Sequence, residues 1–297
     1  MGINYFSDYA KVRLSGGLGN QLFQICNAAR VSDFFDGKIV LDLSWFKHNY
    51  MKSNLVSNRS FELDYFPQIS KLPTCFAKIP LLDKKIGGLQ RRLPAKRQKF
   101  LKVMSEKNHR AFSKMPSVID GVFASKVFIP DGNILADLLQ FPTVTSNWLE
   151  NEISYLRNEP LVAVHVRMGD YLRLTDIYGV VGLEFYERAI NLFRSSNPEV
   201  EFHLFSDSPT DASNWLKPVV NFNKIINSPV KSHSAETLRL MSLYKGLITS
   251  NSTFSWWAGY LGTNAGTMDR VIIPKKFTNL SNDDVRSQFL LDGWEMI

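Results

Sequence analysis

The feature that most constrains this chain is a strand, glycine turn, helix and strand in close succession near its start. Residues 11–17, KVRLSGG, alternate apolar and polar positions and end on glycines. The run 20–35, NQLFQICNAARVSDFF, can be helical, and 38–45, KIVLDLSW, reads as a second strand. Such a unit implies a parallel sheet with right-handed crossovers. The same alternation returns after Pro160. LVAVHV at 161–166 is a buried strand, and 182–196 places Phe185, Ala189, Leu192 and Phe193 on one helical face. EFHLFSDS is the next strand, 235–245 is helical, GLITS is a short strand, TFSWWAGYLG a helix, and RVIIP a last strand before a polar tail.

Between about residues 47 and 160 the pattern breaks up, because prolines at 67, 73, 80, 94, 116, 130 and 142 punctuate short elements. The expected architecture is α/β, with two Rossmann-like domains at 1–155 and 156–297, a cleft between them, and a final tail free to pack back on the first. Ligands in such folds sit at the carboxyl ends of strands.

With 297 residues, 44% hydrophobic and 21% charged, the chain can bury a sizeable core and is neither disordered nor fibrous. No window approaches a membrane-spanning helix, the N-terminus lacks a signal-peptide layout, and Phe6 stands where a myristoylation signal needs Ser or Thr. Cys26 and Cys75 exclude a disulfide framework and fit reduced packing residues. The expected location is therefore cytoplasmic. The net charge of +7 is concentrated in 78–114, where twelve Lys or Arg face only Asp83 and Glu106. That segment reads either as a solvated basic face or as a peripheral contact with an anionic membrane; without interleaved aromatics, nucleic acid is not expected.

Four motifs carry chemistry. GGLGNQ at 16–21 lets backbone amides approach a phosphate. Gly17 and Gly19, with Asp42 ending the next strand, partly match a dinucleotide fingerprint, although Leu22 occupies the third glycine position. An NAD-binding oxidoreductase thus stays open, as does a turn with no ligand. HVRMGDY brings His165, Arg167 and Asp170 to the end of a strand, and the planar fork of Arg167 suits a diphosphate. A structural Arg167–Asp170 pair is the alternative. FSDS places Asp207 past another strand, as a ligand acceptor or as a helix cap. In SNSTFSWW, Ser252, Thr253 and Ser255 precede or open a helix whose free amides favour an anion, while Trp256 and Trp257 fit the core. There is no D-x-D, Walker, H-E-x-x-H or G-x-S-x-G motif, so no metal site is expected and the diphosphate charge falls to Arg and backbone amides.

In this order, GGLGNQLFQ, HVRMGDY, FSDS and NSTFSWWAGYLG resemble glycosyltransferase family 11, the bacterial-type α-1,2-fucosyltransferases. The resemblance implies a GT-B-like fold and a metal-independent, inverting transfer of L-fucose from GDP-β-L-fucose to the 2-hydroxyl of a galactose. The acceptor would be a galactose-terminated glycan, lipid-linked, in O-antigen or polysaccharide synthesis. It further implies that Arg167 holds the β-phosphate, His165 and Asp207 the guanine, and Ser252, Thr253 and Ser255 the phosphates or ribose. Asn20, Gly17 and Gly19 would close over the donor. Apart from the resemblance, the hydroxyl proton needs an acceptor, and Asp170 is the candidate base, the alternatives being that it braces Arg167 or that no protein group takes the proton. Arg167, Asp170 and Asn20 are the expected catalytic set. On this resemblance Asp42 need not touch a ribose. Two departures stand out: Met168 replaces a second Arg, and residues 178–181 read Tyr-Gly-Val-Val where relatives carry His-Gly-Val-Cys. A nucleotide-sugar-binding protein without catalysis is the remaining alternative.

Overall fold

The computed structural model describes residues 9–48, 59–76, 102–156, 160–169, 179–279 and 284–297. They fall into two compact units, one reaching Pro142 and the other beginning at Thr143. Each is built on one parallel sheet, which bears out the α/β class and the pair of Rossmann-like domains.

The first unit holds β1 (Tyr9–Arg13), α1 (Leu18–Phe34), β2 (Lys38–Asp42), α2 (Ser44–His48), β3 (Thr74–Cys75), β4 (Val103–Met104), β5 (Val118–Ile119) and α3 (Gly132–Leu138). Its sheet order is β3-β2-β1-β5-β4, so the chain reverses direction across the sheet between β1 and β5. Leu18, Leu22, Phe23, Ile25 and Cys26 of α1 are buried against this sheet. The helix starts where it does because Gly16 adopts φ 77°, in the left-handed region that glycine enters without a Cβ penalty. A Cβ there would also stand 2.9 Å from Asn20 Nδ2. Burial pushes the Cys26 thiol well up, which fits its reading as packing.

The second unit holds α4 (Asn147–Tyr155), β6 (Leu161–Val166), α5 (Leu183–Ser196), β7 (Glu201–Ser206), α6 (Pro209–Leu216), β8 (Lys224–Ile225), α7 (Ser234–Ser242), β9 (Gly246–Ile248), α8 (Thr253–Asn264), β10 (Arg270–Ile273), α9 (Val285–Gln288) and β11 (Glu295–Met296). The order β11-β10-β9-β6-β7-β8 is the doubly wound arrangement, with its switch point between β6 and β9. Every residue of β6 is buried, as a central parallel strand requires. Its even positions, Val162, Val164 and Val166, and Met168 just past its end pack with Phe185, Tyr186, Ala189, Ile190 and Phe193 of α5. Side chains alternate faces along a strand, so His165 and Arg167 share the opposite face.

Two details extend the sequence reading. α4 is fastened to this unit by Ser146, whose backbone N and Oγ donate to Glu236, and by Lys224 Nζ, 2.6 Å from Glu152 Oε2. The closing residues add the edge strand β11 beside β10, secured by a two-point contact between Arg270 and Glu295. Two residues of strand leave no periodicity to read. Trp256 and Trp257 are fully buried, as expected. Among the described residues no helix is long and apolar enough to cross a membrane.

Candidate functional site

In the second unit, β6, β7 and β9 end side by side, and four of the motif residues meet at their carboxyl ends. Arg167 leaves β6 and Asp207 leaves β7, with Arg167 Nη1 3.0 Å from Asp207 Oδ2. The other carboxylate oxygen accepts the Met168 amide at 3.0 Å. Asp207 thus grips the turn by a side chain and by a backbone group. Gly169 is required for this closeness, because a Cβ on it would collide with Asp207 Oδ2. The two side chains are 16% and 25% exposed, so the guanidinium is partly desolvated while still reachable. Such charge-assisted pairing fixes the fork before a ligand arrives.

Among the described residues Arg167 thus pairs with Asp207; the Arg167–Asp170 pair expected from sequence falls on residue 170, which lies outside the described residues. Asp207 is also not a helix cap, since α6 begins after Ser208, whose side chain makes no capping bond. Met168, in the position of a second Arg, sends its side chain into the hydrophobic core, 6% exposed. Side-chain alternation accounts for this: position 168 shares its face with Val166.

His165 lies within β6 and is 6% exposed. Its Nδ1 is 2.8 Å from Ser250 Oγ, and its carbonyl accepts the Tyr186 hydroxyl at 3.0 Å. Burial, reinforced by the neighbouring Arg167 charge, pushes its pKa down to about 3, so the ring is uncharged near neutrality. Phe254, in the first turn of α8, faces the ring with centroids 5.9 Å apart.

The N-terminus of α8 completes this end of the sheet. Ser252 is the cap, accepting from Phe254 N at 3.3 Å. Thr253 opens the helix and is partly exposed. Ser255 is fully buried and donates to the Ser252 carbonyl, so its hydroxyl supports the cap. No acidic residue occupies the first turn, which leaves the positive end of the dipole available to an anion. Asn251 donates to the carbonyls of Gly179 and Phe277, tying both returning segments to the end of β9. Of the departure at 178–181, residue 178 lies outside the described residues.

In the first unit, the glycine turn is held by two glutamines that the sequence reading did not single out. Gln21 Nε2 donates to the carbonyls of Gly16 and Ser60, and its Oε1 accepts Glu62 N at 2.9 Å. Gln24 exchanges two bonds with Ser15. Gly17 caps α1 without a side chain, and Arg59 Nη1 comes within 3.4 Å of where its Cβ would be. Gly19 lies inside α1 and is buried, and Asn20 is partly exposed beside Gly16. Asp42, weighed as a ribose ligand, is 3% exposed; one oxygen accepts from Ser44 N and Oγ, and the other is 3.9 Å from Arg13 Nε. It closes the β2–α2 turn. The basic segment lies mostly outside the described residues, which include exposed Lys102, Lys107, Arg110 and Lys114. Among the described residues no group of three or more His, Cys, Asp or Glu could hold a metal ion.

This geometry can be set beside known proteins. The chain is 27% identical to the O-antigen biosynthesis glycosyltransferase WbnK of Escherichia coli, over 95% of this chain and 98% of that one. It is 26% identical to an alpha-1,2-colitosyltransferase of Escherichia coli, covering 84% and 86%. In fold it is similar to the NodZ alpha-1,6-fucosyltransferase soaked with GDP-fucose, at TM-score 0.52 and 14% identity over 93% of this chain and 96% of that one. The same enzyme co-crystallized with GDP gives 0.50 at 13% identity, over 86% and 92%. At such identities the likeness concerns the fold, which is GT-B-like. Residues 141–297 match the family described as Glycosyl transferase family 11. They include HVRMGDY, FSDS and NSTFSWW, whose described residues gather at the ends of β6, β7 and β9, so the chain belongs to glycosyl transferase family 11 and is a glycosyltransferase.

Proposed function

We propose that this chain is an inverting galactoside α-1,2-fucosyltransferase, moving L-fucose from GDP-β-L-fucose to the 2-hydroxyl of a galactose. The observation that carries the reading is the Asp207-held Arg167 beside an uncharged, buried His165 at the switch point of the second sheet. The family and its motifs support a sugar nucleotide of the GDP-fucose class as donor. The α-1,2 linkage in the name of the colitosyltransferase relative, and O-antigen biosynthesis in that of WbnK, support the linkage and the pathway.

In this mechanism the galactose 2-hydroxyl oxygen attacks the anomeric carbon of fucose while the bond to the β-phosphate oxygen breaks. GDP leaves with the negative charge, and the hydroxyl proton passes to a base, Asp170 in this reading. Arg167, already oriented, stabilises the charge growing on the β-phosphate, with the free amides at the start of α8 as a second source of positive potential. Arg167 and backbone amides carry the diphosphate without a metal, so transfer survives EDTA. Asn20, Gly17 and Gly19 serve the donor from the first domain. The protein works in the cytoplasm, and 78–114 contacts an anionic inner membrane where lipid-linked acceptors sit; co-sedimentation with anionic vesicles at physiological salt tests that placement.

The test is incubation with GDP-fucose and a galactose-terminated disaccharide, followed by mass analysis. A fucosylated product with protection from thermal unfolding by GDP and not by NAD supports the reading. GDP protection without product leaves a nucleotide-sugar-binding protein. The colitosyltransferase relative favours a second reading in which the transferred sugar is colitose; a colitosyl donor assayed in parallel decides between them.

A further inference from the structure

The serine that touches His165 determines what the imidazole can offer a ligand. Ser250 follows β9, is 1% exposed, and contacts His165 Nδ1 at 2.8 Å. His165 is itself held from three sides, by Ser250, by the Tyr186 hydroxyl on its carbonyl and by the Phe254 ring. Its other nitrogen, Nε2, bonds to none of the described residues, and it is not among the side-chain nitrogens sealed from the surface. A side chain more than nine-tenths buried therefore keeps one unpartnered polar atom open at the switch point, between the ends of β6 and β9.

Hydrogen counting then fixes the tautomer. An uncharged imidazole carries one N–H, and a serine hydroxyl carries one hydrogen. If Nδ1–H donated to Ser250 Oγ, the hydroxyl hydrogen would need a second acceptor, and Ser250 contacts no other described side chain or backbone acceptor. A buried donor left unsatisfied carries its full desolvation cost. If Ser250 donates to Nδ1, both hydrogens are used well and the ring proton sits on Nε2. We infer that Ser250 is a positioning residue that locks His165 in the Nε2–H form, so that the site presents a hydrogen-bond donor to the base of the donor nucleotide.

The consequence is selectivity between purines. Guanine shows acceptors at O6 and N7 along one edge, whereas adenine replaces O6 by an amino donor. N7 accepts in both bases, so the discrimination lies at position 6, where an Nε2–H pairs with the guanine O6 and opposes the adenine amino group. The inference rests on the nucleotide-donor reading above and deepens it, because Ser250 acts only through the ring it holds.

The experiment has two parts. Imidazole ¹⁵N shifts of His165 in the ligand-free protein report the tautomer directly. The wild type should show Nε2 protonated, Ser250→Thr should retain that signature, and Ser250→Ala should lose it in favour of mixed or Nδ1-protonated rings. Calorimetric titration with GDP, ADP and inorganic pyrophosphate then reads the consequence. Ser250→Ala should lower the GDP-over-ADP preference by roughly tenfold, the scale of one base-edge hydrogen bond, with pyrophosphate affinity unchanged and Ser250→Thr close to wild type. An Nδ1-protonated ring in the wild type, or an unchanged preference in Ser250→Ala, overturns the inference. Failure of GDP to bind the wild type at all overturns the donor-site reading and the recognition step with it, and is distinguishable because the tautomer is read without nucleotide.

Discussion

Asp207 holds Arg167 in place with one carboxylate oxygen and holds the following turn with the other, through the Met168 amide. One acid thereby fixes both the guanidinium and the backbone that carries it. The arrangement is possible because residue 169 is glycine.

Substituting Gly169 by Ala should break this grip. The added Cβ collides with Asp207 Oδ2, and the carboxylate must turn away from Arg167 or Met168. A rate loss of about tenfold to a hundredfold is expected, the size of one charge-assisted hydrogen bond. Asp207→Ala should cost about as much, and the double variant little more than either alone, because both remove the same contact. Kinetics of the four proteins check this; full additivity would separate Gly169 from Asp207.

Gln21 is predicted to matter for stability more than its ordinary side chain suggests. It is fully buried and makes three hydrogen bonds to backbone groups of Gly16, Ser60 and Glu62. Gln21→Ala leaves those groups without their partner, at a cost of about 2–4 kcal/mol. Urea unfolding measures it, and a change below about 0.5 kcal/mol, the range of surface substitutions, would show that the clamp is dispensable.

Stability should fall as the medium is acidified. His165 and His203 are both buried uncharged, with pKa values pushed down to about 3 and about 4 from an ordinary 6.5. Burial is the leading cause in each, helped by Arg167 and by Lys224 respectively. Below 6.5 the unfolded chain binds protons that the folded chain refuses, so the stabilising contribution is complete above that pH and is lost as pH falls toward 4 and then 3. Each group steepens the loss by about 1.4 kcal/mol per pH unit within its window. His203→Gln should make the curve shallower between pH 4 and 6.5 in urea titrations; an identical slope would place the charge response elsewhere.

Much of the second domain was legible from sequence because its elements are long and strongly patterned. LVAVHV read as a buried strand, and the motif that follows it was placed at that strand's end, where His165 and Arg167 stand. Trp256 and Trp257 read correctly as core. The pairing of Arg167 with Asp207 was not legible, since Asp207 comes from the neighbouring strand and strand adjacency is a property of the folded sheet. Gln21 acts through backbone groups and Gln24 through the amide and hydroxyl of Ser15, contacts that leave no compositional trace. In the first domain β3, β4 and β5 are two residues each, too short for any period, and the adjacent Asp42, which suggested a ribose ligand, proved to close a turn. Ser250 stood in a visible run of small polar residues, and only its contact with His165 distinguishes it from Ser252, the cap.

Arg167 is predicted to engage the β-phosphate of the donor nucleotide. Calorimetric affinities of GDP and GMP for the wild type and for Arg167→Ala isolate that contact, because the two nucleotides differ by that phosphate. The wild type should prefer GDP by roughly tenfold to a hundredfold, as one hydrogen-bonded charge contact supplies, and the preference should collapse in a folded Arg167→Ala protein. A GDP preference that survives the substitution intact would contradict it.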